Sequence, residues 1–348
     1  MQTIGETPKP LCSARLQFPW QMLRADRPAL VLAPMEGITD APMRALQGEI
    51  GAFTFAVTEF LRVSIEPLPA RVVRRDVPEL ETGCRTKTGL PVQVQLLGGD
   101  ADLMATTAQT AASVGASAID INFGCPAKTV NRHDGGATLL KFPSRIREIV
   151  RAVRDAVPAE VPVSAKLRLG WDDIRDVHEN AQMAAEGGAA WITIHARTRV
   201  QGYAPPVFWT PIGEVRRNLD IPVVANGDIW NLDDFQQCQD ETGCRHFMLG
   251  RSALSHPNLS WKIAEALGTS VQGRPPHMDW RERFERLVHY SEAFHDRSIK
   301  TLLRLKQWAS FASKHGDFDV FDAVKRAESL DEFFEKLESA QSPIAICS

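Results

Sequence analysis

Short apolar runs recur along the chain, each bounded by glycine, proline or charge. They are ALVLAP (29–34), FTFAVTEF (53–60), VQVQLLG (92–98), AIDINFG (118–124), VPVSAKLRLG (161–170), AWITIHA (190–196), IPVVANG (221–227) and CRHFMLG (244–250). Segments of helical character follow most of them, at 40–50, 100–115, 144–156, 173–187, 209–219, 231–242 and 251–267. Runs that are apolar almost throughout, separated by helices, read as parallel strands covered on both faces. Eight such units predict an α/β fold of the (β/α)8 TIM-barrel type. A doubly wound sheet is the alternative. It usually carries fewer units, and no G-x-G-x-x-G follows any of these strands.

The period fails in two places. Residues 61–91 hold Pro67, Pro69, Pro78 and Pro91 and read as a long excursion after the second strand, not as a clean helix. Beyond 267 the strands stop. GTSVQGRPPHMD (268–279) reads as a linker, and 279–296, 298–315 and 319–339 read as helices. The expected organisation is an N-terminal extension (1–28), a catalytic barrel (29–267) and a small all-helical C-terminal domain (268–348).

Composition narrows this only a little. A chain of 348 residues with 44% hydrophobic residues supports a large core. The net charge of −3 gives no global signature for nucleic acid, so such a partner would need a local patch. Cys12, Cys84, Cys125, Cys238, Cys244 and Cys347 form no C-x-x-C pair, which points to free thiols in a reducing, cytoplasmic compartment. Pro8, Pro10, Pro19 and Pro28 interrupt the first residues, which read as a loose extension and not as a signal. No run of 18 apolar residues is present, so no membrane span is expected.

In a barrel, catalytic groups lie at the C-terminal ends of the strands. Here those ends carry APMEG (33–37), Gln95, Asn122 with Cys125, Lys166 with Arg168, His195 with Arg197, NGD (226–228) and GRSA (250–253). Glycine-rich strand ends that lead into helices offer free N–H groups to an anion. Asn226, Gly227 and Asp228 with Gly250 and Arg251 therefore make a candidate phosphate cup, against the plainer reading of two glycine turns. Lys166 interrupts an apolar strand. It points either into the mouth, toward an anionic cofactor or a Schiff base, or outward to a helix carboxylate. His195 is as readily structural as functional. Cys125 sits between Gly124 and Pro126, past a strand end, where a thiol acts as nucleophile, acid or metal ligand. No other Cys or His stands near it at ligand spacing, so a metal is not expected. DGGA (134–137) supplies a flexible loop beside it.

Together these strand ends resemble the tRNA-dihydrouridine synthase family. The matching stretches are APMEGITD (33–40), VQLLG (94–98), DINFGCPAKTVNRHDGGATLLK (120–141), SAKLRLGW (164–171), IHARTRVQGY (194–203), PVVANGDI (222–229) and FMLGRSAL (247–254). The resemblance implies an FMN-binding barrel followed by a helical domain for tRNA. It implies that Pro34, Met35 and Glu36 lie at the flavin and that Gln95 and Lys166 contact its ring or ribityl chain. His195, Asn226, Gly227, Asp228, Gly250 and Arg251 would hold its phosphate end. It implies NADPH as reductant, hydride delivery to C6 of a uracil, and Cys125 as the acid that protonates C5. An acid must stay protonated until the base arrives, so no strong activation of this thiol is expected. The target uridine must also leave its stack.

Within the family the resemblance is strongest to the bacterial C-type, which implies uridine 16 of the D-loop. It rests on TEFLRV (58–63), GCPAKTVN, Tyr203 and RLKQW (304–308). RNA contacts are implied at Arg62, Asn122, Tyr203, Arg304, Lys306, Phe311 and Lys325, and a monomer is expected. Asp228 stands where a glutamate is common, and Phe311 where the family has a tyrosine. In the tail, RSIKTLLRLKQWASFASKHG (297–316) holds Arg297, Lys300, Arg304, Lys306 and Lys314 and no acid. Such a stretch is either a solvated basic face over an aromatic core or an RNA surface. Trp308 and Phe311 either pack inside or stack a base. A small-molecule flavin reductase, an aldolase using Lys166 and a non-catalytic RNA-binding module are the competing readings.

Overall fold

A computed structural model describes residues 23, 26–131, 134–269, 279–292 and 299–341. All eight apolar runs are strands: β1 (Ala29–Leu32), β2 (Phe55–Arg62), β3 (Val92–Leu97), β4 (Ile119–Asn122), β5 (Val163–Arg168), β6 (Ile192–His195), β7 (Val223–Asn226) and β8 (His246–Leu249). They pair in parallel and in sequence order, and β8 returns to β1, which closes the barrel. The expansion to a (β/α)8 barrel is therefore complete. Outside it run α1 (Ala41–Glu49), α2 (Ala70–Asp76), α3 (Ala101–Ser113), α4 (Lys128–Asn131), α5 (Pro143–Ala156), α6 (Asp176–Glu186), α7 (Thr210–Asn218), α8 (Leu232–Thr242), α9 (Arg251–Ser255) and α10 (Leu259–Ala266).

The packing follows from the pattern. In α5, Pro143 opens the helix, where its missing N–H costs nothing. Ile146, Ile149, Val150 and Val153 recur at helical spacing and are buried against the strands. Each such side chain contributes about 1.5–3 kcal/mol. The barrel interior differs by side. Val31, Phe55, Val57, Val224 and Met248 fill one part with apolar volume. Across β3, β4 and β5 the buried Gln93, Gln95, Asp120 and Ser164 interrupt it with polar groups.

Two expected helices are broken. Residues 251–267 form α9 and α10, interrupted at Pro257, whose ring and missing N–H stop a continuous helix. The segment 319–339 forms α13 (Phe321–Val324) and α14 (Leu330–Gln341). Ser329 restarts the chain there, its hydroxyl accepting the Glu332 N–H at 3.1 Å. The excursion 61–91 holds only α2 and a 3-10 turn at Pro78–Thr82. The expected extension 1–28 lies outside the described residues except for Leu23 and residues 26–28, as do Cys12, Arg297, Cys347 and most of the linker.

The tail adds α11 (Trp280–Glu292) and α12 (Ile299–His315) before α13 and α14. Its core is aromatic: Phe284 meets Trp308, Phe318 and Phe333 edge-on at 5.2–5.4 Å. That core continues into the barrel, because Met43, Ala45 and Leu46 of α1 and Leu254 of α9 belong to the same cluster. Trp308 therefore packs inside, with its indole N–H on the Leu254 carbonyl at 3.1 Å.

Candidate active site

The strand ends enclose a cavity of about 310 Å³. Cys125 lines it, and so does every residue expected to hold a cofactor: Pro34, Met35, Glu36, Gln95, Lys166, His195, Asn226, Gly227, Asp228, Gly250 and Arg251. Asn122, Tyr203 and Phe311, expected at RNA, line the same space. Arg62 lies in an adjoining groove that shares Glu36 and Phe60 with it. Arg304, Lys306 and Lys325 line neither.

The floor is a chain of hydrogen bonds. Gln93 Nε2 donates to Ser164 Oγ at 2.9 Å, and that hydroxyl donates to Asp120 Oδ1 at 2.5 Å. Gln95 Nε2 donates to Asp120 Oδ2 at 2.7 Å, and Asn122 Nδ2 donates to Gln95 Oε1 at 2.9 Å. Gln95 and Asn122 are thus fixed in orientation before any ligand arrives. Burial pushes the Asp120 carboxyl up, and its partners oppose this. Lys166 stands above, paired across the sheet with Asn122, its Nζ 3.2 Å from Asn226 Oδ1. Burial, then the Arg168 charge, pulls its amine down to about 8. The lysine therefore points into the mouth, as one of the two sequence readings had it.

The β7–β8 end is ionic. Asp228 accepts from Arg197 on one oxygen and from Arg251 at 2.7 Å on the other. Burial raises the Asp228 carboxyl, but the two guanidinium groups overcome this and hold it below the ordinary range. Gly227 has φ +125°, and a Cβ there would stand 3.2 Å from the Ala196 nitrogen, so glycine is required. Its carbonyl accepts the Trp209 indole N–H at 3.0 Å. Arg251 lies 5.0 Å from the Tyr203 ring and 5.2 Å from that of Trp230. His195 is held neutral by burial and by the surrounding Arg168, Lys166, Arg197 and Arg251. Two buried nitrogens here, His195 Nδ1 and Arg197 Nη1, have no hydrogen-bond partner.

Cys125 stands at the other side on a bend secured through its backbone. Its carbonyl accepts from the Ala137 N–H at 3.1 Å and from Asn131 Nδ2 at 3.3 Å. Gly136, with φ +60°, lets the following loop close in, since a Cβ there would sit 3.0 Å from that carbonyl. The thiol is half-buried. Burial raises its pKa, the Ala127 N–H lowers it, and Glu36 raises it further. It is therefore held in its protonated form.

The tail closes on this mouth. Trp230 stacks on His315 of α12 at 5.4 Å, and Phe311 approaches the same histidine at 4.9 Å. Arg304 is engaged: its Nη2 lies 2.6 Å from Asp40, the cap of α1, and its Nη1 lies 2.8 Å from Gln307. Lys306 is half-buried, and Lys325 is exposed, paired with Asp322 at 2.6 Å.

Sequence reasoning gave no role to Gln93, Asp120, Ser164, Arg168, Arg197 or Trp230. Alternation in β3–β5 held the signal for the first three: polar residues at every second position of apolar strands. Among the described residues no group of three metal-ligating side chains forms, and no helix is long and apolar enough to cross a membrane.

Strand ends converging on one cavity, with side chains from all eight units, define a barrel enzyme. The family described as Dihydrouridine synthase (Dus) matches residues 31–342. A tRNA-dihydrouridine(16) synthase of Shewanella oneidensis is 43% identical over 90% of this chain and 98% of its own length. One of Haemophilus influenzae is 41% identical over 87% and 97%, and one of Pseudomonas putida 47% identical over 68% and 73%. A 2-naphthoyl-CoA reductase structure aligns with TM-score 0.52 and 11% identity over 74% of this chain and 56% of its own, a likeness of fold alone. The chain belongs to the dihydrouridine synthase family and is an oxidoreductase.

Proposed function

We propose that the protein is an FMN-dependent, NADPH-driven tRNA-dihydrouridine synthase that reduces the C5–C6 double bond of uridine 16 in the D-loop. The observation that carries this is a protonated thiol, Cys125, in the wall of a cavity whose other side is cationic. The residues fit the cofactor. Lys166, Arg168 and Arg251 line the cavity on the side of Asp228, whose carboxylate Arg197 and Arg251 share, and the buried His195 Nδ1 has no partner, so this side suits an anion with several acceptors. FMN held there would supply the hydride for C6, with NADPH as its reductant.

The chain supplies the rest. Pro34, Met35 and Glu36 shape the wall, while Gln95 and Lys166 present fixed donors to the ring and ribityl chain. Asn226, Gly227, Asp228, Gly250 and Arg251, with His195, hold the phosphate end. Because α9 has only five residues, Arg251 and not the helix terminus carries most of the attraction. Asn122 and Tyr203 orient the flipped base, and Cys125 gives its proton to C5 as charge builds there. Solvent reloads the thiolate after release. Arg62, Phe311, Lys306 and Lys325 face the RNA, with 29–267 as the catalytic barrel and 268–348 as the tRNA-binding unit. Arg304, bound to Asp40, fastens α12 to the loop that carries Met35 and Glu36. The buried, free Cys84, Cys238 and Cys244 accord with a reducing compartment.

The test is base-by-base mapping of dihydrouridine in unmodified tRNA incubated with the FMN-loaded protein and NADPH. Conversion at position 16 is expected. Conversion elsewhere in the tRNA would overturn the position and keep the reaction. No conversion by a protein that retains FMN would favour a small-molecule ene-reductase.

A further inference from the structure

Beside the catalytic bend, three loops bring two cations onto one indole. Trp171 follows β5. Lys141 ends the 3-10 turn Gly136–Lys141, and its Nζ lies 3.8 Å from the centroid of the Trp171 ring. Arg199 follows β6, with its guanidinium carbon 4.6 Å from the same ring. The Arg199 N–H donates to the Gly170 carbonyl and the Val200 N–H to the Trp171 carbonyl, both at 2.9 Å, so the indole and the guanidinium ride on one short backbone ladder. The nearby Asp173 carboxylate is taken by Arg175 at 2.5 Å. Arg199 Nε is buried with no hydrogen-bond partner.

This cluster is tied to Cys125 twice. Its lysine closes the turn whose Ala137 N–H holds the Cys125 carbonyl. Its other loop is held by Arg168, which donates to the Gly124 carbonyl at 2.8 Å and to the Thr198 and Gly202 carbonyls at 3.1 and 2.8 Å. On that loop Val200 and Tyr203 are more than half exposed.

We propose that Lys141 and Arg199, ordered on Trp171, bind backbone phosphates of the RNA strand whose uridine enters the cavity. The proposal rests on the tRNA reading above. A guanidinium laid on an aromatic face keeps its edge donors free and loses less freedom when it meets a phosphate. A nucleotide drawn out of its stack brings its own phosphates to the rim, and phosphate contacts set register. Cations interleaved with exposed aromatic and apolar side chains match such a strand.

The test measures the affinity of an unmodified tRNA transcript for the FMN-loaded protein between about 50 and 200 mM salt. Lys141→Gln and Arg199→Gln should each weaken binding several-fold and lower the salt slope by about 1, the signature of one lost phosphate contact. FMN content should not change in either. Slopes equal to wild type in both variants would overturn the proposal and leave the tRNA reading intact. A wild-type protein that binds no tRNA would overturn the tRNA reading and this proposal with it. Lys141 is exposed, so its variant reports on binding even where Arg199→Gln loses stability.

Discussion

The two ends of the cavity are held by different physics. At the β7–β8 end the carboxylate is doubly paired: Asp228 lies between Arg197 and Arg251, and aromatic rings lie against Arg251. At the β4 end Cys125 has no such partner, and its bend is secured by hydrogen bonds to a backbone carbonyl. The first arrangement holds the Asp228 carboxylate charged. The second keeps the thiol protonated, chiefly through burial. In the proposed function these are two separate tasks, holding the cofactor and giving up a proton, set on opposite sides of one mouth.

The sharpest way to break this contrast is Cys125→Ala. Dihydrouridine formation measured in a single turnover should fall about 10²–10⁴-fold, the usual contribution of a positioned acid. FMN content and tRNA affinity should stay at wild-type values. Loss of FMN would mean that the two ends are not separable. In the wild type, burial raises the thiol above its ordinary range, so the acid form persists through neutral pH and this group should not limit activity there; a loss of single-turnover rate between about pH 6 and 8 at saturating FMN would count against it.

A smaller effect sharpens the other end. Lys166 is lowered to about 8 in the free protein. It therefore carries its charge below pH 8 and loses it as pH rises through that value. Uptake of an anionic cofactor above pH 8 must then recover a proton. FMN affinity should be flat from pH 7 to 8 and weaken above it, by at most about tenfold per unit. Lys166→Met should bind FMN more weakly and abolish the step. An unchanged step in that variant would place the titrating group elsewhere.

The contrast also explains what the sequence reveals. Strands buried in a parallel sheet are largely apolar, so all eight were legible even though β3, β4 and β5 carry polar residues at alternate positions. At the ends of β7 and β8 the glycines marked a candidate anion cup but equally suited ordinary turns, so the sequence alone left both readings open. The floor under Gln95 was not legible. Asp120 matters through Gln95 on the neighbouring strand and Ser164 through Gln93 two strands away, and no local signal reports which strands meet inside the barrel. Arg197 and Arg168 were visible as strand-end residues, but their roles depend on Asp228 and on the Gly124, Thr198 and Gly202 carbonyls. The break at Pro257 and the restart at Ser329 were local signals that helical periodicity obscured.

Arg304 tests how far the contrast extends into the tail. From its charge and helix face it reads as an RNA contact, yet its guanidinium is less than a fifth exposed and closes on Asp40 at 2.6 Å. An ion pair of that kind is worth about 1 kcal/mol. Arg304→Gln should therefore lower the melting temperature by about 2 °C. Asp40→Asn should do the same, and the double variant should lose less than the sum, a coupling of about 0.5–1 kcal/mol. Neither single variant should change the salt slope of tRNA binding, because no phosphate contact is removed. The decisive comparison is with Asp40→Asn, which frees the guanidinium. If Arg304 were a phosphate ligand restrained by Asp40, that variant would bind tRNA more tightly, and Arg304→Gln alone would lower the slope. In that case the tail would belong with the cation cluster at Trp171 as RNA surface, and the link between α12 and the Met35 loop would need another cause.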